Sequence, residues 1–303
     1  MKIGVTGGSG FIGSHVVDKL VQAGHEVRII DTIPSHRNDV EYVSTNIVRF
    51  EELQKGVEDL DVLYHLAAAS NVNHYVEKPL YSSQINVMGT LNLLEACRRY
   101  DVNRFIFAST VWVYGASNGL ETDEQTLISL KGAGHPYTSS KIASELFIQD
   151  YAQLYGQKFT ILRYGIPYGP RARKGTVIPI FVQRALSGQD IVIFGKGDSG
   201  RNFIYIEDLA EGNVCALSQK AENEVYNMDG SEEITLNRIA NTILKILNAD
   251  ISIKHKEARP GDYVNRKISI EKAKNDLNWE PKTSFEEGMR LYLEWLKKQD
   301  NNS

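Results

Sequence analysis

The chain has 303 residues, 42% of them hydrophobic and 24% charged, and its formal net charge is −4. It is long enough to bury a substantial core, and its charges are interspersed, which excludes the basic stripe of a nucleic-acid-binding protein. Since no apolar run approaches the roughly 18 residues of a membrane span, we expect a globular protein whose partners include neither nucleic acid nor a membrane.

The start of the chain and its two cysteines indicate the compartment. The opening segment "MKIGVTGGSGFIG" is interrupted by glycines and has no cleavage site, so it is predicted to belong to the fold rather than to a signal peptide. Cys97 and Cys215 lie in helical patterns among apolar residues, as inert buried thiols do. We therefore expect a protein of a reducing compartment, the cytoplasm.

Short β-branched runs alternate with amphipathic stretches through the first half of the chain, which is the pattern of βαβ units. The predicted helices begin near Phe11, Glu51, Leu80 and Tyr137. The predicted strands lie near Lys2–Thr6, Glu26–Ile30, Val62–Leu66, Asn103–Ser109 and Phe159–Leu162. The pattern predicts an α/β fold: a doubly wound parallel sheet of the Rossmann type, followed by a smaller C-terminal α/β domain.

Beyond Arg163 the pattern loosens, because glycines and prolines interrupt it repeatedly. The stretch "RNFIYIEDLAEGNVCAL" again predicts a strand followed by a helix, which indicates a brief return to the first sheet. We therefore expect residues 1–165 plus about 202–222 to form the first domain, and about 166–201 plus 223–303 to form the second.

A glycine-rich turn follows the first predicted strand. In "VTGGSGFIGSHVV" the glycines are Gly7, Gly10 and Gly13, and a helix follows them. Gly7 suits a tight turn, Gly10 lets the backbone approach a pyrophosphate, and Gly13 lets the helix pack closely on the strand. Asp31 ends the second strand, where an acid accepts hydrogen bonds from an adenosine ribose. The arrangement predicts a site for NAD.

A pair of basic residues that follows Asp31 in the sequence raises the alternative that the cofactor is NADP. His36 and Arg37 could bind the 2′-phosphate of NADP, although they also fit an exposed loop. Because Asp31 occupies the discriminating position and repels a 2′-phosphate, NAD is favoured over NADP.

Tyr137 and Lys141 lie four residues apart in "HPYTSSKIASELF", near the start of a predicted helix, so both side chains project from one face. A tyrosine with a pKa of about 10 is a poor base at neutral pH, whereas a neighbouring ammonium lowers that pKa. The pair alone occurs by chance on many helices. Whether the Tyr137–Lys141 pair indicates a catalytic site therefore depends on the motifs around it.

The order of these motifs resembles the extended short-chain dehydrogenase/reductase family, in its nucleotide-sugar epimerase/dehydratase branch. The resemblance rests on the glycine turn, "HLAA" and "STVWVYG" after predicted strands, and the Tyr137–Lys141 pair. It extends through "NVMGTLNLLEACR", "LRYGIPYGPR", "GRNFIYIEDLAEG", "RPGD" and "LNWEPKTSFEEG", and so covers nearly the whole chain.

The resemblance implies a catalytic set. Tyr137 would take the proton of a sugar hydroxyl as the sugar carbon is oxidised by NAD, and Lys141 would lower the pKa of Tyr137 and hold the nicotinamide ribose. Thr110 would orient the sugar hydroxyl. Ser109 is the second candidate hydroxyl, and both hydroxyls could instead cap the end of a strand.

The resemblance also implies binding residues, with no metal ion among the ligands. The diphosphate of a nucleotide sugar would be held by Arg201 and Arg259, and the sugar by Ser109 and Thr110. The expected cofactor contacts are Gly7, Gly10, Phe11, Ile12, Gly13, Asp31, Asn46, Ile47, Leu66, Ala67, Ala68, Asn86, Tyr137 and Lys141.

One departure from the family pattern bears on the reaction. In the sugar 4,6-dehydratases the loop that contains the catalytic threonine resembles Ser-Thr-Asp-Glu-Val-Tyr-Gly, so two acids follow the threonine. Decarboxylating relatives also carry a glutamate there. Val111 and Trp112 occupy the two acidic positions here, and neither side chain transfers a proton. An epimerase needs no such pair, so a nucleotide-sugar 4-epimerase is favoured.

Other departures bear on the substrate. Where the family reads "RYFNVYGP" this chain reads "RYGIPYGP", so Ile166 replaces a substrate-binding asparagine. Asn46 stands where an aspartate normally meets adenine, and Asn202 follows Arg201 in place of an aspartate. The basic loop of Arg171, Arg173 and Lys174 could supply replacement contacts, although an exposed loop is its ordinary explanation.

Two alternatives remain from the sequence: a dehydratase or reductase of related sugars, and a non-catalytic protein that binds NAD. Relatives commonly dimerise through the helices that match Leu80 to Arg99 and Tyr137 to Tyr155. Both stretches carry more apolar residues than one face needs, which predicts a homodimer. These residues include Leu93, Leu94, Ile142, Leu146 and Phe147.

Overall fold

The computed structural model describes residues 1–115, 121–128, 135–257 and 267–300, with the backbone only for residues 72–74 and 300. The chain divides into two compact units. The first unit comprises Met1–Tyr164, Ala210–Met228 and Ile268–Trp279, and the second comprises Gly165–Leu209, Asp229–Lys267 and Glu280–Ser303.

The first unit contains a seven-stranded sheet in the order β11-β7-β5-β4-β1-β2-β3, and all its strand pairs are parallel. Helices flank this sheet, so the predicted Rossmann-type fold is confirmed. In chain order, the strands of both units are β1 (Lys2–Thr6), β2 (Glu26–Asp31), β3 (Glu41–Ser44), β4 (Val62–His65), β5 (Arg104–Thr110), β6 (Glu121–Thr122), β7 (Lys158–Tyr164), β8 (Ile166–Tyr168), β9 (Ile191–Phe194), β10 (Gly200–Tyr205), β11 (Glu224–Met228), β12 (Glu233–Thr235), β13 (Ile253–Lys256) and β14 (Lys267–Ile268).

The helices begin close to the predicted positions. They are α1 (Phe11–Gln22), α2 (Gln54–Val57), α3 (Val72–Glu77), α4 (Pro79–Ser83), α5 (Gly89–Arg99), α6 (Pro136–Tyr155), α7 (Val177–Leu186), α8 (Ile206–Cys215), α9 (Leu236–Leu247), α10 (Glu271–Leu277) and α11 (Phe285–Asp300). A π-helical turn, Gln84–Met88, joins α4 to α5, and a 3-10 turn, Val111–Tyr114, follows β5.

The strands of the large sheet are apolar on both faces because helices cover both sides of a parallel sheet. All seven residues of β5 are buried, and α5 and α6 contribute apolar side chains to the same core. The core includes Ile30, Leu63, Leu93, Leu94, Cys97, Phe105, Phe107, Ile148 and Ile161.

Two strands of the large sheet differ from the sequence prediction. β3 is too short and too polar to show strand periodicity, since none of its four residues is buried. The strand that returns to the sheet is β11, which pairs with β7 from Glu224↔Thr160 to Met228↔Tyr164. In the segment predicted to return, the strand β10 pairs with β8 and β12 in the second unit, whereas Ala210–Met228 belongs to the first unit.

The second unit is a smaller α/β body, as expected for the C-terminal part. It contains the three-stranded sheet β12-β10-β8 and the two-stranded sheet β13-β9. The rings of Tyr168, Phe203 and Phe285 pack together with centroids 5.3 to 6.4 Å apart. This aromatic cluster holds α11 against the small sheet.

Candidate active site

The glycine turn between β1 and α1 is closed by contacts that leave no room for side chains. Gly7 has a φ of +71°, and a Cβ there would lie 2.7 Å from the backbone nitrogen of Ala67. A Cβ on Gly13 would lie 2.8 Å from the carbonyl carbon of Gly7 and nearer still to its oxygen. Glycine at these two positions therefore lets the turn lie directly on the helix.

The start of α1 suits an anion. Gly10 is the N-cap residue and supplies no side-chain cap, so the first N–H groups of the helix, which include those of Phe11 and Ile12, lack a side-chain acceptor. The first turn carries no acidic residue that would neutralise the positive end of the helix dipole. A Cβ on Gly10 would lie 3.2 Å from the Gly7 carbonyl oxygen, so glycine here keeps the turn compact.

Asp31 lies at the end of β2 beside this turn. Its Oδ2 accepts a hydrogen bond from the Ser9 N–H at 3.1 Å, and its Oδ1 accepts one from the Ile33 N–H at 3.1 Å. Each carboxylate oxygen keeps a further lone pair, which suits ribose hydroxyls. The carboxylate is therefore fixed in place with acceptor capacity to spare.

The two basic residues considered for a 2′-phosphate are already paired with carboxylates. Arg37 donates to both oxygens of Asp39, at 2.8 and 2.6 Å, and to Asp18 at 2.9 Å. His36 lies 3.0 Å from the same Asp18 oxygen. These pairs, together with Asp31, favour NAD over NADP.

The ends of β1 and β4 meet behind the turn through a buried histidine. His65 bonds Thr6 Oγ1 through Nδ1 at 2.9 Å and Thr90 Oγ1 through Nε2 at 3.0 Å, and burial holds its pKa well below the ordinary value. Thr6 also accepts the N–H of Ala67 at 3.3 Å. This network fixes the segment Leu66–Ala68 at the edge of the sheet, beside Gly7.

Asn86 lies in the π-helical turn and is 2% exposed. Its Oδ1 accepts from the Ala69 N–H at 2.8 Å, and its Nδ2 donates to the Ala69 carbonyl and, at 3.0 Å, to Ser140 Oγ. Asn86 thus joins the loop after β4 to α6. This is a positioning role for the expected cofactor residue.

Asn46 and Ile47, the pair expected near adenine, differ in burial. Asn46 is exposed, and its Oδ1 accepts from the Val48 N–H at 3.1 Å. Ile47 is 6% exposed and belongs to the apolar core, and the side-chain amide of Asn92 donates to its carbonyl at 3.0 Å. Of the two, Asn46 presents polar groups to solvent, and Ile47 anchors the loop.

The two hydroxyls at the end of β5 point to different partners. Thr110 Oγ1 accepts from the Trp112 N–H at 3.3 Å and thereby caps the 3-10 turn. Ser109 Oγ donates to Glu145, and Ser109 is 3% exposed. The Ser109 hydroxyl proton is therefore held within the protein, whereas Thr110 keeps its own hydroxyl proton for another acceptor.

Tyr137 and Lys141 lie in the first turns of α6, which packs beside β5. Lys141 reaches the end of β5 and donates to the Ala108 carbonyl at 2.7 Å, and its Nζ lies 4.4 Å from the centroid of the Phe107 ring. The ring of Tyr137 contacts the ring of Trp112 edge-on at 6.4 Å. The helix thus brings Tyr137 and Lys141 to the strand end that carries Thr110.

Burial changes the acid–base properties of Lys141, which is 3% exposed. Removal from water lowers the pKa of the Lys141 ammonium from 10.5 to about 7, although the nearby Glu145 carboxylate partly offsets this effect. Lys141 donates one hydrogen bond to Ala108, and no other is found for it among the described residues. An ammonium has three N–H groups, so this side chain has donors to spare for a ligand.

A buried ion pair between α6 and β7 was not predicted from the sequence. Arg163 donates to both oxygens of Glu145, at 3.1 and 2.6 Å, and both side chains are at most 6% exposed. Arg163 also donates to the Tyr114 hydroxyl, which donates to Asn227 at 2.9 Å. The signal was present, since Glu145 follows Lys141 by one helical turn, but only the structure shows its partner on β7.

Aromatic residues around Tyr137 were also missed. Tyr75, on α3, lies edge-on to Tyr137 at 6.4 Å and to His135 at 6.4 Å. His135 is the N-cap of α6: its Nδ1 accepts from the Tyr137 N–H at 3.0 Å, and burial lowers its pKa. His135 therefore caps the helix as the neutral imidazole, and "HP" before a helical run was the available signal.

Neither position after Thr110 supplies an acid or base. Val111 is 5% exposed and packs in a cluster with Val113, Tyr114, Ile142 and Ile268, and Trp112 packs against the same cluster. These two positions build the apolar wall beside Tyr137.

Of the expected substrate residues, Ser109 and Thr110 lie in the first unit, whereas Arg201 belongs to the second. Arg201 lies in β10 opposite Ile234, and Ile166 begins β8 opposite Phe203. Arg259 lies outside the described residues. In the described part of the chain, no three His, Cys, Asp or Glu side chains come together as a metal site.

Among the helices that the structure describes, none is both long and apolar enough to cross a membrane.

The first unit fits NAD at each point that the structure tests. The glycine turn leaves a bare, positively polarised helix end for the pyrophosphate, Asp31 offers acceptors for the adenosine ribose, and Lys141 has unspent donors for the other ribose. The NAD-binding surface expected from the sequence is therefore compatible with the structure.

Comparison with known proteins agrees with this geometry. The profile of the NAD dependent epimerase/dehydratase family matches residues 3–229. UDP-glucose 4-epimerase from Thermotoga maritima, crystallised with UDP-glucose, aligns at a TM-score of 0.91 and 34% identity over 99% of both chains. UDP-glucuronic acid 4-epimerase from Bacillus cereus, crystallised with UDP-glucuronic acid and NAD, aligns at 0.88 and 29% identity over 99% of this chain and 100% of that one.

A decarboxylase is similar as well. UDP-N-acetyl-alpha-D-glucosaminuronate decarboxylase from Bacillus cytotoxicus is 30% identical over 317 residues, which cover 98% of each chain. The relatives carry out different reactions, and what their names share is the class of substrate, a UDP-sugar. Fold, cofactor surface and similarity together show that this chain is an enzyme of the NAD-dependent epimerase/dehydratase family, which acts on nucleotide sugars.

Proposed function

We propose that the chain is an NAD-dependent nucleotide-sugar 4-epimerase that acts through a transient 4-keto sugar. The observation that carries the proposal is the strand end at Thr110. Tyr137 and Lys141 are brought to it by α6, while Val111 and Trp112 form an apolar wall where dehydratases carry two acids. The residues support oxidation and reduction of one carbon and supply no second acid–base pair.

When bound, NAD supplies the oxidant for the sugar carbon and returns the electrons later in the same cycle. Tyr137 accepts the proton of the 4-hydroxyl during oxidation and gives it back during reduction. Thr110 orients that hydroxyl, since its own hydroxyl proton is not spent on the backbone bond to Trp112. Lys141 favours the phenolate form of Tyr137 and binds the nicotinamide ribose.

Epimerisation requires the keto sugar to present its other face before it is reduced. Arg201 and Arg259 would hold the diphosphate during this movement, because a guanidinium binds phosphate oxygens in pairs. The sugar would then turn about its link to a fixed diphosphate. The wall beside Tyr137 suits this step because Val111 and Trp112 carry no charged group that would hold one face of the sugar.

The first prediction concerns the base. In Tyr137→Phe, turnover should fall by about 10²-fold to 10⁴-fold, because the positioned proton acceptor is lost. NAD should remain bound, since the glycine turn and Lys141 are untouched. Activity and protein-bound NAD are measured on the same preparation.

Tyr155→Phe is the matched control, because Tyr155 ends the same helix and is 54% exposed. It should keep full turnover. If Tyr137→Phe were as active as the wild type, the assignment of Tyr137 as base would be wrong.

We also propose a homodimer, formed through α4, α5 and α6. Large apolar side chains are exposed on these helices and on the π-helical turn, within the described residues. A partner subunit would cover them. They are Leu80, Tyr81, Met88, Leu146, Leu154 and Tyr155. Of the residues that suggested this surface in the sequence, Leu146 is exposed, whereas Leu93, Leu94 and Ile142 are buried. A monomer mass by light scattering at micromolar concentration would contradict the proposal.

A further inference from the structure

The departure at Gly165 and Ile166 has a structural counterpart in the second unit. Asp229 follows β11, is 2% exposed, and lies beside Gly165. A Cβ on Gly165 would lie 2.5 Å from the Asp229 Cγ and nearer still to its Oδ1. The Asp229 carboxyl therefore fills the space that any side chain at position 165 would need, so glycine at 165 and aspartate at 229 depend on each other.

The segment Asp229–Gly230 is fixed against β10. The Asn202 side chain donates to the Gly230 carbonyl at 3.0 Å, and a Cβ on Gly230 would lie 2.8 Å from the carbonyl carbon of Phe203. Phe203 is also the partner of Ile166 in the β8–β10 pair. Asp229 is thus held beside Ile166 and beside the strand that carries Arg201. Positions 166 and 201 are two of those where the family pattern places substrate contacts.

The Asp229 carboxyl has few partners for a buried group. Its Oδ1 accepts from the Gly230 N–H at 2.8 Å, and no other hydrogen bond or ion pair is found for it among the described residues. Burial raises the pKa of the carboxyl to about 7, while the hydrogen bond from Gly230 opposes this rise. A buried carboxyl with one donor is costly to keep unless a ligand completes its hydrogen bonds.

We propose that Asp229 is the sugar-recognition residue of this enzyme: its carboxylate accepts a hydrogen bond from a sugar hydroxyl, and its charge selects neutral sugars over sugars that carry a carboxylate. Asp229 thereby replaces the hydrogen bond that Ile166 does not make. Repulsion between two carboxylates in a site shielded from water supplies the discrimination. This inference rests on the proposed nucleotide-sugar substrate.

The test compares UDP-glucose, UDP-glucuronic acid and UDP as probes. Their affinities for the NAD-loaded protein are measured by calorimetry at pH 8, where Asp229 is mainly charged. We expect the wild type to bind UDP-glucose at least about 10-fold more tightly than UDP-glucuronic acid. Asp229→Asn keeps the shape of the side chain and removes the charge, so it should abolish most of this difference and leave UDP affinity unchanged.

Asp250→Asn is the matched control, because Asp250 is an exposed acid of the same unit. It should bind all three probes like the wild type. The inference is overturned if the wild type does not distinguish the two sugars, if it binds neither, or if Asp229→Asn weakens UDP as much as UDP-glucose. In the last case Asp229 would have only a structural role.

Failure of the proposed function would look different. Discrimination in binding without turnover of any nucleotide sugar would keep Asp229 as a recognition residue and remove the epimerase. Turnover without discrimination would keep the epimerase and remove the role of Asp229.

Discussion

A buried cation lies at each end of β5, Arg104 from the strand itself and Lys141 from α6, and the two differ in how many of their N–H donors the protein uses. At the amino end Arg104 is 5% exposed and donates to Thr160 Oγ1 and to the carbonyls of Ala216, Leu217 and Ser218. Near the carboxyl end Lys141 is 3% exposed and donates to the Ala108 carbonyl alone among the described residues. One cation is fully satisfied by the protein, and the other is not.

We interpret this difference as the one between a structural cation, Arg104, and the cation that we propose to be functional, Lys141. A buried charge is tolerated when the protein satisfies its hydrogen bonds, and Arg104 ties α8 and the turn after it to the sheet in that way. Lys141 bears the desolvation cost with little compensation, which agrees with the proposal that a ligand completes its hydrogen bonds. In a parallel sheet the carboxyl edge is where ligands bind, and the contrast follows that rule.

The largest effect that would test the comparison is expected at Lys141. In Lys141→Met, turnover should fall by about 10²-fold to 10⁴-fold, since Tyr137 loses the ammonium that favours its phenolate. Steady-state kinetics below pH 7, where Lys141 is mainly charged, measure this. Turnover within two-fold of the wild type, on the order of experimental scatter, would mean that Lys141 does not serve the base.

The same variant makes a pH-dependent prediction for stability. The native pKa of Lys141 is about 7 and its ordinary value is 10.5, so between these pH values the unfolded chain binds more protons and wild-type stability rises with pH. Methionine carries no charge to desolvate. The stability of Lys141→Met relative to the wild type should therefore be greatest below pH 7 and decline towards pH 10, as measured by urea unfolding at each pH.

At the amino end of β5 we expect a substitution to lower stability and to leave turnover unchanged. Arg104→Met removes the donor from buried Thr160 Oγ1 and from the carbonyls of Ala216, Leu217 and Ser218, and should lower the free energy of unfolding by about 3 kcal/mol or more. Turnover per folded molecule should not change, because Arg104 lies at the opposite end of the strand. Arg290→Met, at an exposed ion pair, is the control and should leave the free energy of unfolding nearly unchanged. A loss of turnover in folded Arg104→Met would break the comparison.

The sequence predicted those parts of the molecule that local patterns specify. The glycine turn, the strand ends and the helix of Tyr137 each have a signal within about a dozen residues, because backbone geometry and helical spacing are local properties. The sheet edge formed by β11 has no such signal. Its place beside β7 depends on packing between segments that are distant in the chain.

Contacts between distant residues account for the rest of the site. Glu145 and Arg163 were both visible as single residues, yet their ion pair depends on how α6 lies against β7. The same holds for Asp229, whose importance appears only when Gly165 is seen to leave space for it. Sequence patterns identify which groups are available, and the fold decides which of them meet.

The most direct test of the epimerase proposal is to incubate the purified protein with NAD and a panel of UDP-, GDP-, CDP- and dTDP-sugars. Product mass and proton NMR spectra are followed together. The account predicts a new sugar signal at unchanged mass, which would establish epimerisation and identify the substrate. A product lighter by one water or one carbon dioxide would contradict it, because residues other than Val111 and Trp112 would then be supplying a second acid–base pair.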